Sequence, residues 1–466
     1  KTARGQNIVL LIASVIFYAS YDVKYLIILA LSIAVTYLGG LIGSKQEDAA
    51  KRGRIYRWAF VLNLLILVVF KYTGFLVGNL NAVLGLFGAS VAPPKILLPV
   101  GLAFYTFQSS TYLLDLKSGM AEPERDIINY SLFVAFFPTI VSGPILRAAS
   151  FLPQIRARRE VTWERFQVFI FTFLWGAMLK LVLSDRLAGF VTHVFQSYYN
   201  YGGFVMLIHI VSAMLQLYVD FAGYSYMAIA VAALFGFDIP DNFRQPWFAT
   251  SVAGMWRRWH ISMTTWFTDY LYIPLGGSRK GKARKMLNTL IVFTVSGLWH
   301  GASWTFAYWG FVAAAYMVVG QLTLPYRKRA CEALHIDRET FGYKSLQRFI
   351  VLLLMSANVV PFSIGGLKAT AVYFLRMFTV WNPWVLVDGS FFTMGMTATD
   401  WAVVLVFGAV LLTVSALREH GYSVKFILKQ NAVFRAALVL VMFLAIVVFG
   451  VYGAQYSANA FVYAGF

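Results

Sequence analysis

The sequence predicts an all-α, polytopic membrane protein, and three observations lead to that fold class. Of the 466 residues, 59% are hydrophobic and only 13% are charged, whereas a soluble domain carries about 25% charged residues. Apolar runs of the roughly 17 to 25 residues needed to cross a bilayer recur from end to end. Short basic loops separate these runs, as the positive-inside rule expects of cytoplasmic loops. We therefore expect a single integral membrane domain over residues 1–466.

The net charge of +19 would suggest a nucleic-acid partner in a soluble protein. Here the basic residues lie in short loops between apolar runs, so we expect no nucleic-acid partner. Some of them could also bind a polyanionic ligand such as a coenzyme A thioester. The single cysteine, Cys331, is expected in a polar loop, and one cysteine alone excludes both an internal disulfide and a thiolate metal site. No cleavable signal peptide is visible, and since the sequence begins at Lys1, we expect further N-terminal residues.

Five basic stretches are predicted to be cytoplasmic, and they orient the membrane crossings. These stretches cover residues 45–57, 147–165, 257–285, 326–348 and 418–435. They predict about ten to eleven crossings, with a break near Gly223 inside residues 203–237. The expected crossings are residues 7–20, 25–44, 58–78, 95–116, 166–184, 203–237, an out-and-back pair in 286–324, 349–366, 401–417 and 436–453.

Two further segments fit the membrane without crossing it. Residues 128–146 are apolar, are flanked by cytoplasmic loops on both sides, and are interrupted by Pro138, Gly143 and Pro144, which predicts a re-entrant segment. Residues 242–285 mix tryptophans with arginines, as a cytoplasmic-side amphipathic or re-entrant segment does. The same orientation places the tail, residues 454–466, on the extracytoplasmic side of the membrane. No internal repeat is evident, which argues against an inverted-repeat transporter.

His300 is the first candidate for chemistry, because it stands inside the apolar stretch "VFTVSGLWHGASWTF". Gly297 and Gly301 allow a ligand or another backbone to approach closely. A neutral imidazole can accept a proton from an attacking hydroxyl. The local sequence alone leaves two interpretations open, a catalytic base or a histidine packed between helices.

The segment 242–285 is the second candidate. It carries Arg257, Arg258, His260 and Asp269 among three tryptophans, and it continues into the glycine-rich basic loop "LGGSRKGKAR". Backbone N–H groups of such a loop can hold phosphates, but a positive-inside anchor explains the loop equally well. The loop contributes the basic side chains Arg279, Lys280, Lys282 and Arg284.

Two ionisable residues fall inside crossings. Asp220 needs a partner at membrane depth, and Arg257, Arg258 or His260 could supply it in a structural ion pair. For His209 we expect a structural histidine that bonds a backbone carbonyl, and a functional role is the alternative.

Together, these segments resemble the membrane-bound O-acyltransferase (MBOAT) family, in particular its bacterial polysaccharide O-acetyltransferase branch. The resemblance covers nearly the whole chain. The matching stretches are "LLPVGLAFYTFQSSTYLLDL", "FVAFFPTIVSGPILRAASFLPQ", "DFAGYSYMAIA", "MWRRWHIS", "WFTDYLYIPLGGSRKGK" and "SGLWHGASWTFAYWG". One position departs from the family pattern: Tyr226 stands where Asp or Asn is usual.

The resemblance implies a fold and roles for individual residues. The fold is a ring of tilted helices around a central tunnel, which the acyl donor enters from the cytoplasm. His300 matches the family's catalytic histidine, and His260 matches a second functional histidine. The residues expected to shape the structure or the tunnel are Asp220, Trp259, Asp269, Trp299 and Gly301.

The tail "FVYAGF" is similar to a terminal motif of this branch, in which a tyrosine is proposed to carry the acyl group. Tyr463 is therefore a candidate acyl carrier, and a plain aromatic anchor at the membrane surface is the alternative.

The resemblance implies an inner-membrane O-acetyltransferase. It takes the acetyl group of cytoplasmic acetyl-CoA, with no bound cofactor and no metal, and passes it to an SGNH-hydrolase-like partner that esterifies a cell-envelope glycan. The donor phosphates are expected at Arg257, Arg258, Arg279, Lys280, Lys282 and Arg284. Two other functions remain open: D-alanyl transfer from a carrier protein to teichoic acid, and lipid or solute transport without catalysis.

Overall fold

The computed structural model describes residues 2–452, and the predicted tail with Tyr463 lies outside the described residues. Within them the chain is helical, and its only β-structure is an isolated antiparallel bridge between Phe243 and Trp259. The first ten α-helices are α1 Ala3–Ala19, α2 Tyr25–Ser44, α3 Ala49–Leu67, α4 Thr73–Leu84, α5 Leu102–Ser118, α6 Ile127–Ala135, α7 Ala148–Arg156, α8 Trp163–Met178, α9 Asp185–Gln196 and α10 Gly203–Leu234. The remaining helices are α11 Val252–Trp256, α12 Ile261–Phe267, α13 Gly281–His300, α14 Trp304–Leu322, α15 Leu324–Ala333, α16 Phe341–Ala357, α17 Val360–Ile364, α18 Leu367–Thr379, α19 Ala398–Glu419, α20 Val424–Leu428 and α21 Ala432–Phe449.

Eight helical stretches between residues 2 and 452 are long and apolar enough to cross a membrane, which confirms the polytopic, all-α class. They are Tyr25–Ser44, Ala49–Phe87, Trp163–Gln196, Gly203–Leu234, Trp304–Leu322, Phe341–Ile364, Ala398–Glu419 and Ala432–Phe449. The sequence predicts about ten to eleven crossings, more than this number. Three predicted crossings fall short of these criteria: α1 and α5 have 17 residues each, and the first turns of α13 carry Lys282, Arg284 and Lys285.

Two stretches depart from the sequence-based expectations. The expected break near Gly223 is wrong, because α10 runs without interruption from Gly203 to Leu234. Gly223 instead allows a close helix contact: a Cβ atom there would lie 2.8 Å from the carbonyl oxygen of Gly176. Cys331 is buried in the short helix α15 rather than in a loop.

The chain divides into two compact units. The first comprises residues 1–166 and 231–240. In it, α6 ends at Ala135, irregular buried backbone follows, and α7 begins at Ala148. The irregular backbone agrees with the predicted interruption of residues 128–146, while its re-entrant path stays a prediction.

The second unit comprises residues 167–230 and 241–466 and contains both candidate histidines. As predicted, residues 286–324 form a helix pair, α13 and α14; the residues Trp299, His300 and Gly301, here called the "WHG" stretch, lie at the turn between them. Glycines let the two backbones meet: a Cβ atom on Gly297 would lie 2.1 Å from the Phe306 oxygen, and one on Gly310 would lie 2.1 Å from the Phe293 oxygen. This close pairing fixes the end of α13, where His300 lies.

We predict that Gly310→Ala destabilises the protein, because the new methyl group would overlap the backbone of α13. Overpacking of this kind costs about 1 to 3 kcal/mol. Gly320→Ala is the matched control on the same helix, where a Cβ atom meets nothing within 4 Å. Thermal unfolding in detergent should show a lower midpoint for Gly310→Ala and no decrease for Gly320→Ala; equal midpoints would contradict the packing described.

Candidate functional site

The structure brings His260 and His300 together at the ends of two different helices. His260 immediately precedes α12, and His300 is the last residue of α13. Their ring centroids are 6.1 Å apart, and their exposed fractions are 0% and 4%. Two buried imidazoles therefore lie next to each other in the interior.

The backbone at His260 is held in an uncommon conformation. Its φ of 44° and ψ of 53° are left-handed values, which a non-glycine residue adopts rarely and keeps only where surrounding contacts enforce them. Two backbone hydrogen bonds beside the Phe243–Trp259 bridge supply that support. The N–H of Arg244 donates to the oxygen of Arg258 at 2.9 Å, and the N–H of Ile261 donates to the oxygen of Asn242 at 3.0 Å.

Asn242 determines which nitrogen of His260 carries the proton. The Oδ1 atom of Asn242 lies 3.2 Å from the backbone nitrogen of Ser262 and 2.8 Å from the Ser262 hydroxyl. Since a backbone N–H can only donate, this atom is an acceptor, and His260 Nδ1, at 3.2 Å, must also donate to it. Neutral His260 therefore carries its proton on Nδ1, and Nε2 keeps the lone pair that can accept a proton.

Burial keeps His260 neutral. Loss of solvent lowers the pKa of its imidazole from the ordinary 6.5 to about 3, because the charged form is not hydrated in the interior. The ring packs edge-on against Phe221, with centroids 4.7 Å apart. At neutral pH it is thus a proton acceptor rather than a cation.

Tryptophans and a glycine surround His300. Its ring packs against those of Trp299 and Trp309, at centroid distances of 4.7 and 5.2 Å. A Cβ atom on Gly301 would lie 2.1 Å from the Phe306 ring, so only glycine fits after the histidine. The "WHG" triplet is therefore explained locally: an aromatic wall, the imidazole, and space for the chain to turn into α14.

A cavity of about 260 Å³ lies in the same unit, between the α11–α12 region and the α13–α14 pair. Its walls are mainly apolar, and Arg257 is the charged side chain in the lining. Trp256 forms part of the wall and packs against Trp309, which also contacts His300. The described residues thus place the cavity one aromatic layer from His300.

The predicted donor-binding cations fall into two groups. Arg258 is engaged by Glu419, with Nη1–Oε2 and Nη2–Oε1 distances of 2.6 and 2.8 Å. The others have exposed side chains: Arg257, Arg279, Lys280, Lys282 and Arg284. The glycine-rich loop is fixed to α13, because Asn288 donates to the Gly277 oxygen at 2.9 Å.

Asp220 forms its ion pair with Lys180, which is not among its expected partners. Its Oδ1 atom lies 2.7 Å from the ammonium of Lys180, and the Ser184 hydroxyl donates to the same oxygen at 3.2 Å. Lys180 also lies 2.7 Å from Asp185. Because α8 leads through a π-helical stretch, Leu179–Ser184, into α9, the Lys180–Asp220 pair joins this continuous helix to α10, whereas the Lys180–Asp185 pair lies within the continuous helix.

The remaining candidates have simpler surroundings. His209 lies 3.0 Å from the Val191 carbonyl oxygen, as expected of a structural histidine. Trp259 packs against Phe243 and Tyr218, and Asp269 lies in the π-helical turn after α12. Across residues 2–452, no three histidine, cysteine or carboxylate side chains gather as a metal site would require.

Sequence reasoning missed Asn242, Ser262 and Glu419. No periodicity or motif links Asn242 to His260, and Glu419 lies 161 residues from Arg258. The one sequence signal for Asn242 is that it lies in the same candidate segment, residues 242–285, as His260.

Comparisons with known proteins agree on one family. The profile of the MBOAT, membrane-bound O-acyltransferase family, matches residues 15–333. The chain is similar to the probable alginate O-acetylase of Azotobacter vinelandii, with 34% identity over 83% of this chain and 75% of the relative. It is 32% identical to the peptidoglycan O-acetyltransferase of Helicobacter pylori, over 65% of this chain and 62% of the relative. The teichoic acid D-alanyltransferase of Bacillus subtilis is more distant, at 24% over 48% and 60%.

We predict that buried His260 makes folding stability depend on pH. The unfolded chain binds a proton below pH 6.5, whereas the folded ring stays neutral down to about pH 3. The free energy of unfolding therefore falls with decreasing pH in this window, by up to about 1.4 kcal/mol per unit. In His260→Gln, the unfolding midpoint should fall less between pH 7.5 and 5 than in the wild type. His335→Gln, which removes an exposed ring, is the control; wild-type slopes in both variants would refute the neutral assignment.

Proposed function

The chain belongs to the membrane-bound O-acyltransferase family, and from this premise we propose that it moves acetyl groups from acetyl-CoA to a cell-envelope polysaccharide. It is a multi-pass membrane enzyme, and we place it in the bacterial cytoplasmic membrane. The observation that carries the proposal is the buried pair of His260 and His300, 6.1 Å apart. The acetylating relatives cover more of this chain, at higher identity, than the D-alanylating ones do.

Acetyl-CoA is the proposed donor. Its phosphates would bind the exposed cations of the glycine-rich loop, Arg279, Lys280, Lys282 and Arg284, which lie between His260 and His300 in the sequence. Arg257 lines the apolar cavity near His300, so it suits the inner end of the same donor. The guanidinium of Arg258 is paired with the carboxylate of Glu419, so we assign Arg258 no direct contact with acetyl-CoA.

His300 would act as the general base. It accepts the proton of an attacking hydroxyl, whose oxygen bonds to the thioester carbonyl carbon, and the coenzyme A thiolate leaves and takes up a proton. A tyrosine hydroxyl has a pKa near 10, so it needs such a base at neutral pH. Neutral His260, with its lone pair on Nε2, would orient the reacting groups or assist the proton transfer.

The acceptor lies on the opposite side of the membrane. We propose that the acetyl group passes to Tyr463 in the outer tail and then to an SGNH-hydrolase-like partner, which esterifies the glycan. This separation leaves coenzyme A in the cytoplasm. D-alanyl transfer from a carrier protein remains the rival reaction, and transport without catalysis does not fit membership of an acyltransferase family.

We predict that His300→Ala abolishes glycan acetylation, since a general base contributes about 10² to 10⁴ in rate. The assay measures ester-linked acetate released by mild base from the envelope glycan of a deletion strain complemented with each variant. His335→Ala, an exposed histidine, is the control and should restore wild-type acetate. Normal acetate in a His300→Ala strain that contains the protein would exclude His300 as the base.

The tail is tested separately. Tyr463→Phe removes the hydroxyl that would carry the acetyl group and keeps the ring, so glycan acetylation should be lost. Tyr456→Phe makes the same change at another tyrosine of the tail and should have no effect. Full acetylation with Tyr463→Phe would exclude Tyr463 as the acyl carrier and leave it the role of an aromatic anchor at the membrane surface.

A further inference from the structure

The C-terminal end of α19 contacts the loop that carries His260. Glu419 is the last residue of α19, and both of its carboxylate oxygens meet the guanidinium of Arg258. Such fork-to-fork pairing is directional, since two parallel N–H···O bonds fix the plane of the guanidinium. Arg258 is two positions before His260, so the pairing of Glu419 with Arg258 connects α19 to the candidate site.

Arg258 in turn holds the two limbs of the loop together. Its Nη1 atom donates to the carbonyl oxygens of Arg244 and Gln245, at 3.4 and 3.3 Å. The backbone oxygen of Arg258 accepts the N–H of Arg244 at 2.9 Å. The guanidinium therefore supports the backbone pairing that places Asn242 beside His260.

Arg418, the neighbour of Glu419 on α19, makes a second contact near Asn242. The guanidinium of Arg418 lies over the ring of Tyr226, 4.8 Å from its centroid, and 5.8 Å from that of Trp175. Tyr226 follows Ser225 on α10, and the Ser225 hydroxyl accepts from Asn242 Nδ2 at 3.3 Å. Two consecutive residues of α19 therefore contact the surroundings of Asn242: Glu419 through Arg258 of the loop, and Arg418 through Tyr226 of α10.

We propose that Glu419 is a positioning residue for His260. By holding Arg258, it keeps the loop paired, so that Asn242 accepts the Nδ1 proton and Nε2 of His260 remains the proton acceptor. Glu419 touches no reacting atom. The inference rests on the proposed function only where it assigns His260 a part in acetyl transfer.

The main variant is Glu419→Gln in the purified full-length protein. We expect the kcat of acetyl-CoA-dependent coenzyme A release to fall about tenfold and the KM for acetyl-CoA to change less than twofold. Arg258→Gln should behave alike, and the double variant should be no slower than the slower single variant, because both changes break one linkage. Glu339→Gln breaks another surface pair, Glu339–Lys344 at 2.7 Å, and should leave kcat and KM unchanged.

A spectroscopic measurement separates positioning from general destabilisation. In ¹⁵N-histidine-labelled protein, the His260 signals, assigned by their loss in His260→Gln, should show a single Nδ1–H tautomer in the wild type and a mixture in Glu419→Gln. If Glu419→Gln does not accumulate, Arg258→Lys replaces it, since lysine keeps the charge without the fork.

The outcomes are distinguishable. A changed tautomer with lower kcat supports both the inference and the use of His260 in catalysis. A changed tautomer with unchanged kcat supports the positioning role and contradicts the catalytic role of His260. An unchanged tautomer overturns the inference, whatever happens to kcat or KM.

Discussion

The side-chain oxygen of Asn242 is the contact on which the candidate site depends. A buried polar group without a partner costs free energy, so the amide, the serine hydroxyl and the imidazole around Asn242 are arranged to satisfy one another. That arrangement fixes the proton of His260 on Nδ1. It also requires the loop limbs around residues 242–245 and 258–261 to stay paired, and this explains why a left-handed residue is tolerated at His260.

His300 reaches the same place by a different physical route. Its position follows from helix packing, because glycines at 297 and 310 bring α13 against α14, and Gly301 turns the chain beneath the Phe306 ring. A site built from one rigid helix end and one hydrogen-bonded loop allows two imidazoles to approach within 6.1 Å. We expect preorganisation of this kind in a site where a hydroxyl, a base and a thioester must meet with little rearrangement.

Much of this could be predicted from the sequence, and the failures have two physical causes. The helical class, the "WHG" turn and the structural role of His209 follow from local patterns, such as apolar runs and glycine spacing. The predicted break at Gly223 is wrong, because a glycine in a long apolar run is compatible with either a break or a close helix contact, here with Gly176. The partnership of Asp220 with Lys180 was not predicted. Lys180 and Glu419 join their partners only through tertiary packing, which no spacing in the sequence encodes. Tyr463 stays a prediction, since it lies outside residues 2–452.

The sidedness of the reaction tests the account most directly. The protein would be reconstituted in one orientation into sealed proteoliposomes, with acetyl-CoA supplied to one face at a time and coenzyme A release measured. The account predicts release only when acetyl-CoA reaches the face bearing the basic loop 257–285, and loss of that release in His300→Ala. Release from the opposite face, or equal release with and without the His300 imidazole, would contradict it.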